Sequence, residues 1–152
     1  MAWFADLSPC TYFTSVDQNV VLAVGWLEKG HTFPKGRPGD DVVGRLRELH
    51  SRVWSFSLYR GFHQCQFCRQ RDAVSNSSIV VPGNGVIYAS PTLLLHYIET
   101  HSYVPPEVFS DAVLRCPDPG TSEFKDVFLN NGGRELLFWM HSDESDLTLR
   151  SV

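Results

Sequence analysis

No run of the 152-residue sequence approaches the roughly 18–20 consecutive apolar residues that cross a bilayer, so no membrane span is expected. The opening Met1-Ala2-Trp3-Phe4-Ala5-Asp6 lacks the basic start and apolar middle of a secretory signal, and a cytoplasmic protein is the expectation. Basic charge is also in short supply. Thirteen Lys+Arg stand against 17 Asp+Glu, a formal net charge of −4. General nucleic-acid binding, which needs a basic footprint to displace phosphate counterions, is not expected. There is no internal repeat, no low-complexity tract and no long charge block. Gly-x-Gly-x-x-Gly and Walker-type phosphate loops are absent, and so is the Gly-x-Ser-x-Gly elbow of serine hydrolases. No residue is therefore assigned a catalytic role.

Apolar residues make up 43% of the chain and aromatics 12%, enough for a packed core and too much for a disordered linker. The length suits one domain over residues 1–152, since a chain of about this size buries about 68–70% of its unfolded surface. Four cysteines, Cys10, Cys65, Cys68 and Cys116, allow three pairings into two disulfides. In a reducing compartment the thiols persist, and Cys-x-x-Cys serves metal binding or redox chemistry. Cys10 and Cys116 read as small buried hydrophobes.

Several elements follow from pattern. Thr11 to Thr14 and the valine-rich Val20 to Leu27 read as strands, with Asp17-Gln18-Asn19 as a turn between them. Asp40 is placed as the N-cap of a helix from Asp41 to about Val53, with Val42, Leu46, Leu49 and Val53 as its apolar stripe. Phe56 to Tyr59 alternates like a strand. Ile79-Val80-Val81 and Val86 to Ala89, joined through Pro82-Gly83-Asn84-Gly85, read as a hairpin. Ser90-Pro91 reads as a helix start, and that helix should reach about His101 before Pro105-Pro106. Pro106 then opens a helix from Glu107 to Arg115, with Val108, Phe109, Ala112 and Val113 as its stripe. Thr121 or Ser122 caps a short helix through Leu129, ended by Asn131-Gly132-Gly133. Glu135 to Met140 is apolar and ambiguous in type, and the tail from Ser142 is polar. The fold class expected is α+β: a small, mostly antiparallel sheet with three or four helices, organised around a ββα zinc-finger-like unit.

That unit rests on two pairs. Cys65-Gln66-Phe67-Cys68 offers two thiolates at the spacing of a zinc knuckle. His96 and His101 offer two imidazoles with four residues between them, inside the spacing range of structural zinc sites. The 27 residues between Cys68 and His96 replace the dozen or so of an ordinary finger. Positions five apart point about 140° from each other on an ideal helix, so convergence requires the helix end at His101 to tighten or unwind. One Zn2+ held by Cys65, Cys68, His96 and His101 is the expected cofactor. His63 is the substitute ligand, or else a hydrogen-bonding neighbour. Two thiolates and two histidines fill a tetrahedron, which makes the site structural. The histidine pair is not the metalloprotease His-Glu-x-x-His, because the spacing is one residue too long and Tyr97 follows His96.

The phrases Val24-Gly25-Trp26-Leu27, Gly30-His31-x-Phe33-Pro34-x-Gly36, Arg60-Gly61-Phe62-His63-x-Cys65-x-x-Cys68, Gly85-Val86-x-Tyr88-Ala89 and His96-Tyr97-Ile98-Glu99-x-His101-x-Tyr103-x-Pro105-Pro106 resemble a bacterial domain family of unknown function. The similarity covers residues 8–117, leaving a C-terminal helix and tail over 118–152. It implies a small bacterial cytosolic domain in which the cysteine and histidine motifs form one unit, and it implies no activity.

The expected function is binding to a protein partner, as an adaptor or immunity-type protein. The loop Glu28–Gly39, with His31 and Phe33, is the expected partner surface because long loops on a rigid scaffold often carry function. The alternative is a small metal-dependent hydrolase or nuclease using His63 or His31 at an open zinc position. Sequence-specific nucleic-acid binding by the finger-like unit is disfavoured by the charge. Arg60, Arg69 and Arg71 form one basic concentration, with Asp72 beside it. Trp3, Trp26, Trp54 and Trp139 are too dispersed for a base-stacking platform and read as core or interface anchors.

Overall fold

The computed structural model describes residues 3–11, 19–51, 55–56, 63–75 and 77–134, with the backbone alone at 55–56. Its centre is the expected hairpin. β5 (Ser78–Pro82) and β6 (Ile87–Pro91) pair antiparallel, with Val80 opposite Ala89. Every residue of both strands is buried. Both faces are covered, which explains why the sequence here is a continuous apolar run rather than an alternation. β1 (Val21–Ala23) adds to β6 in parallel, Val21 opposite Ile87. β2 (Ser55–Phe56) adds to β5 antiparallel, giving the order β1-β6-β5-β2. A separate ribbon joins β3 (His63–Gln64) and β4 (Val74–Ser75).

β1 is much shorter than the strand expected over residues 20–27. Gly25 sits at φ +77°, and a Cβ there would lie 2.7 Å from Leu94 Cδ1. The chain turns away from the sheet at that point, in a conformation that strongly favours glycine. Trp26 then folds beneath the hairpin, buried, with its indole N–H donating to the Ala89 carbonyl at 2.9 Å. On the free side of β1, the Cys10 N–H donates to the Val21 carbonyl at 2.9 Å and Pro9 bridges Leu22. Beyond Thr11, the strand expected to reach Thr14 lies outside the described residues, as do Trp54, Arg60, Trp139 and the segment from Glu135 onward.

Among the described residues four helices pack around this sheet. α1 (Asp40–Ser51) buries Val42, Val43, Leu46 and Leu49 as one stripe. Asp40 is its first residue rather than its cap, and the Gly39 carbonyl accepts the opening bond from Val43 N–H at 3.1 Å. Val53 falls outside the described residues. α2 (Leu94–His101) ends where expected and begins later. Ser90-Pro91 does not cap it: both residues stay in β6, where Ser90 pairs with Ile79 and Pro91 with Ser78. The ladder with β5 outweighs the local capping preference, and at the strand's last position the missing proline N–H costs the sheet little. α3 (Glu107–Arg115) matches its expected bounds and buries Phe109, Ala112 and Val113. Val108 is 46% exposed, so it is not part of that stripe. α4 (Ser122–Phe128) is capped by Thr121, whose hydroxyl accepts from Phe124 N–H at 3.1 Å, and it runs into a wider turn over Leu129–Gly133. All four cysteines are free thiols; Cys10 and Cys116 are buried, as small hydrophobes should be. The architecture is α+β with mostly antiparallel pairing.

Candidate metal centre

The cysteine turn hangs from the β3–β4 ribbon. His63 pairs with Ser75, and the Cys65 N–H donates to the Ala73 carbonyl at 2.9 Å, closing the ribbon at the base of the turn. After β4 the chain runs through the buried hairpin and enters α2, which carries both histidines. The order is ββα, with the hairpin inserted between its second strand and its helix. Cys65 Sγ lies 3.3 Å from His101 Nε2, and Cys68 Sγ lies 3.4 Å from His96 Nε2. The two Nε2 atoms are 3.2 Å apart. All four donor atoms fall within 4.8 Å of one another, close enough to hold a metal ion.

The five-residue spacing is reconciled differently from expectation. α2 stays helical through His101 and does not tighten. Ser102 adopts the left-handed conformation at φ 56°, and the N–H groups of Ser102 and Tyr103 both turn back to the Tyr97 carbonyl. A residue in the left-handed conformation just past the last turn is a common way for a helix to end. Both imidazoles present Nε2, the ring atom farthest from the backbone. That reach closes the angular gap that the backbone leaves open.

The electrostatics suit a cation. Burial, reinforced by neighbouring Cys68, pushes the Cys65 thiol up, against the opposing effect of a Phe67 N–H bond to its sulfur at 3.4 Å. Burial pushes His96 down, and His101 close by adds to it, while Asp72 and Glu99 oppose. Burial also pushes His101 down. Imidazoles held neutral keep a lone pair for a metal, and a metal that displaces the thiol protons reverses the cost of ionising Cys65. Thr100 Oγ1 lies 3.4 Å from His96 Nδ1, on the edge of the ring away from the cluster. His63 stands outside the cluster. It is buried, with Nε2 3.2 Å from the hydroxyl of Tyr97, which is not one of the four donors.

Aromatic rings brace the centre from one side. Phe67, inside the cysteine turn, packs on His101 at 5.5 Å, on Tyr97 at 6.1 Å and on Phe33 at 5.5 Å between centroids. Phe33 is half-buried and also meets Tyr103. The loop that carries it is stitched to both ligand-bearing elements. The Lys29 N–H donates to Gln66 Oε1 at 3.0 Å in the cysteine turn. Gly36 N–H donates to the Ser102 carbonyl at 2.9 Å, and Val104 N–H donates to the Pro34 carbonyl at 3.1 Å, just past α2. His31 faces outward, stacked on Trp3 at 3.9 Å and 8°, with Glu28 at 3.6 Å. Of the two loop residues expected to meet a partner, His31 is exposed and Phe33 packs inward. Arg69, Arg71 and Asp72 are exposed, with no ion pair among the described residues. Sequence reasoning gave no role to Phe67, Gln66 or Tyr97. Only an apolar residue inside the Cys-x-x-Cys turn hinted at the first.

Fold and site together define a small α+β fold carrying a Cys2His2 cluster whose donor atoms lie close enough to bind a metal ion, with no helix among the described residues long and apolar enough to cross a membrane. The chain belongs to the family described as Domain of unknown function (DUF7919), which matches residues 2–114. No curated protein and no solved structure matches it.

Proposed function

We propose that the chain is a zinc-stabilised domain of the bacterial cytosol that works by binding another protein and performs no catalysis. The observation that carries this reading is the donor set of Cys65, Cys68, His96 and His101, whose atoms lie within 4.8 Å of one another. Zinc bonds of about 2.0–2.1 Å to nitrogen and about 2.3 Å to sulfur give tetrahedral edges of about 3.3 Å between nitrogens and about 3.6 Å between nitrogen and sulfur. The corresponding distances here are 3.2, 3.3 and 3.4 Å. Four protein donors fill the coordination sphere and leave no position for a reacting water, which favours a structural role over a hydrolase or nuclease.

The binding surface in this reading is the Glu28–Gly39 loop together with Trp3. Its exposed face carries the Trp3–His31 stack, and its inner face rests on the cysteine turn and the segment after α2. A metal that fixes those two elements also fixes the loop, so partner affinity depends on the metal without the metal touching the partner. The test is cross-linking capture from bacterial lysate with the full chain as bait. A specific protein should be retained by wild type and lost by the Trp3→Ala/His31→Ala variant and by chelated protein. Retention unchanged in both would refute the assigned surface.

A further inference from the structure

We propose that a second, unrelated site lies between the hairpin turn, α3 and α4, and that it binds a small organic carboxylate with an apolar body. The site is a cavity of about 330 Å³, at the lower end of the range for small-molecule pockets. It shares no lining residue with the metal cluster. Its apolar wall is formed by Val108, Ala112 and Val127, and the 46% exposure of Val108 belongs to this wall.

The polar lining includes three donor-bearing side chains beside the Cys116 thiol. Arg115, Tyr88 and Asn84 all line the cavity, and all three carry hydrogen-bond donors. Arg37, Arg45 and Arg47 each hold a carboxylate. Arg115 does not: its Nε makes a long bond of 3.4 Å to the Asp111 carbonyl of its own helix, and no carboxylate pairs with it among the described residues. Arg69 and Arg71 are likewise unpaired and, like Arg115, exposed; what sets Arg115 apart is that it lines this cavity. Tyr88 is 4% exposed and close enough to Arg115 to feel its charge, which opposes the upward push of burial on the phenol.

The site is also held in shape. Tyr88 packs edge-on against Phe109 at 5.7 Å, and its ring lies against the hairpin turn at Gly83. A Cβ on Gly83 would lie 2.5 Å from Tyr88 Cε2 and 3.2 Å from Cζ, so the turn admits the phenol end only because residue 83 is glycine. A guanidinium and a phenol donor lining one cavity suit the two oxygens of a carboxylate, and the aliphatic wall suits a short hydrocarbon body.

The experiment titrates the metal-loaded full chain with hexanoate, benzoate and 3-phenylpropionate, using 3-phenylpropionamide and inorganic phosphate as controls. Heteronuclear NMR reports the shifts. At least one of the acids should bind saturably with a Kd below about 1 mM and shift the signals of Tyr88, Ala112 and Arg115. The amide of that acid, added as a matched control, and phosphate should bind at least about tenfold more weakly. Arg115→Gln, at an exposed helix end, should weaken the acid about tenfold or more, as expected for loss of a charge-assisted contact, with metal content unchanged. Tyr88→Phe should weaken it severalfold. The proposal is overturned if none of the three acids binds, if acid and amide bind alike, or if Arg115→Gln leaves the Kd unchanged. None of these results bears on the zinc reading, which metal content reports separately.

Discussion

Replacing Phe67 by alanine tests whether the aromatic brace holds the metal centre in place. The ring touches three partners: Phe33 on the loop, and Tyr97 and His101 on α2. A fully buried Phe→Ala change costs about 3–5 kcal/mol, and for this half-buried ring about 2–3 kcal/mol is expected. At about 2–4 °C per kcal/mol for a chain of this size, the melting temperature should fall by about 5–10 °C. No ligand is removed, so metal content should stay near one per chain. His101 loses its packing partner, however, and groups that orient a metal ligand are typically worth about 10–100-fold in affinity. A chelator-competition titration should show a weakening of that order. The double variant with Phe33→Ala should be less than additive, by about 0.5–1.5 kcal/mol for a coupled aromatic pair. A melting temperature within 1 °C of wild type, together with unchanged metal affinity, would refute the brace.

Asp6 provides a pH test. Burial pushes its carboxyl up, partly offset by bonds from the Gly25 N–H at 2.9 Å and the Tyr103 hydroxyl at 2.9 Å. A folded pKa above the unfolded value means the native state holds the proton more tightly. The stability it contributes is complete below about pH 4 and is lost as pH rises through the folded pKa. Urea midpoints of wild type minus Asp6→Asn should therefore decline from about pH 4 upward; a flat or rising difference would contradict the assignment. Phe33→Ala should lower the melting temperature by several degrees, whereas the exposed His31→Ala should stay within about 1 °C, and thermal melts that reverse this order would place Phe33 on the surface. Random duplex DNA should bind weakly at physiological salt, and submicromolar binding with a steep salt slope would show that local basic charge overrides the net −4.

What was legible in the sequence was whatever local pattern decides. α1 was readable because Val42, Leu46 and Leu49 form one stripe, and α4 because Thr121 is a capping residue at the right place. The hairpin was readable because a glycine-containing turn separates two apolar runs. The start of α2 was misplaced because Ser90-Pro91 carries a strong local capping signal that pairing with β5 overrides. β1 was overextended because the reason for its end, the approach of Leu94 to Gly25, lies 69 positions further along the chain. The donor set was readable from spacing, whereas its convergence was not, since it depends on Nε2 reaching across an angle the backbone leaves open. The loop was singled out for its length, but its stitching to Gln66, Ser102 and Val104 is long-range and left no trace in its own composition.

The central claim is one structural zinc on Cys65, Cys68, His96 and His101. Elemental analysis with X-ray absorption at the zinc edge tests it most directly, on purified wild type and on Cys65→Ser and His96→Ala. Wild type should carry about one zinc per chain, with two sulfurs at about 2.3 Å and two nitrogens at about 2.0 Å. Both variants should lose the metal and melt at lower temperature, because structural zinc supplies binding energy of about 10–16 kcal/mol in small fingers, comparable to a whole domain's stability. Full metal content and an unchanged melting temperature in both variants would contradict the account.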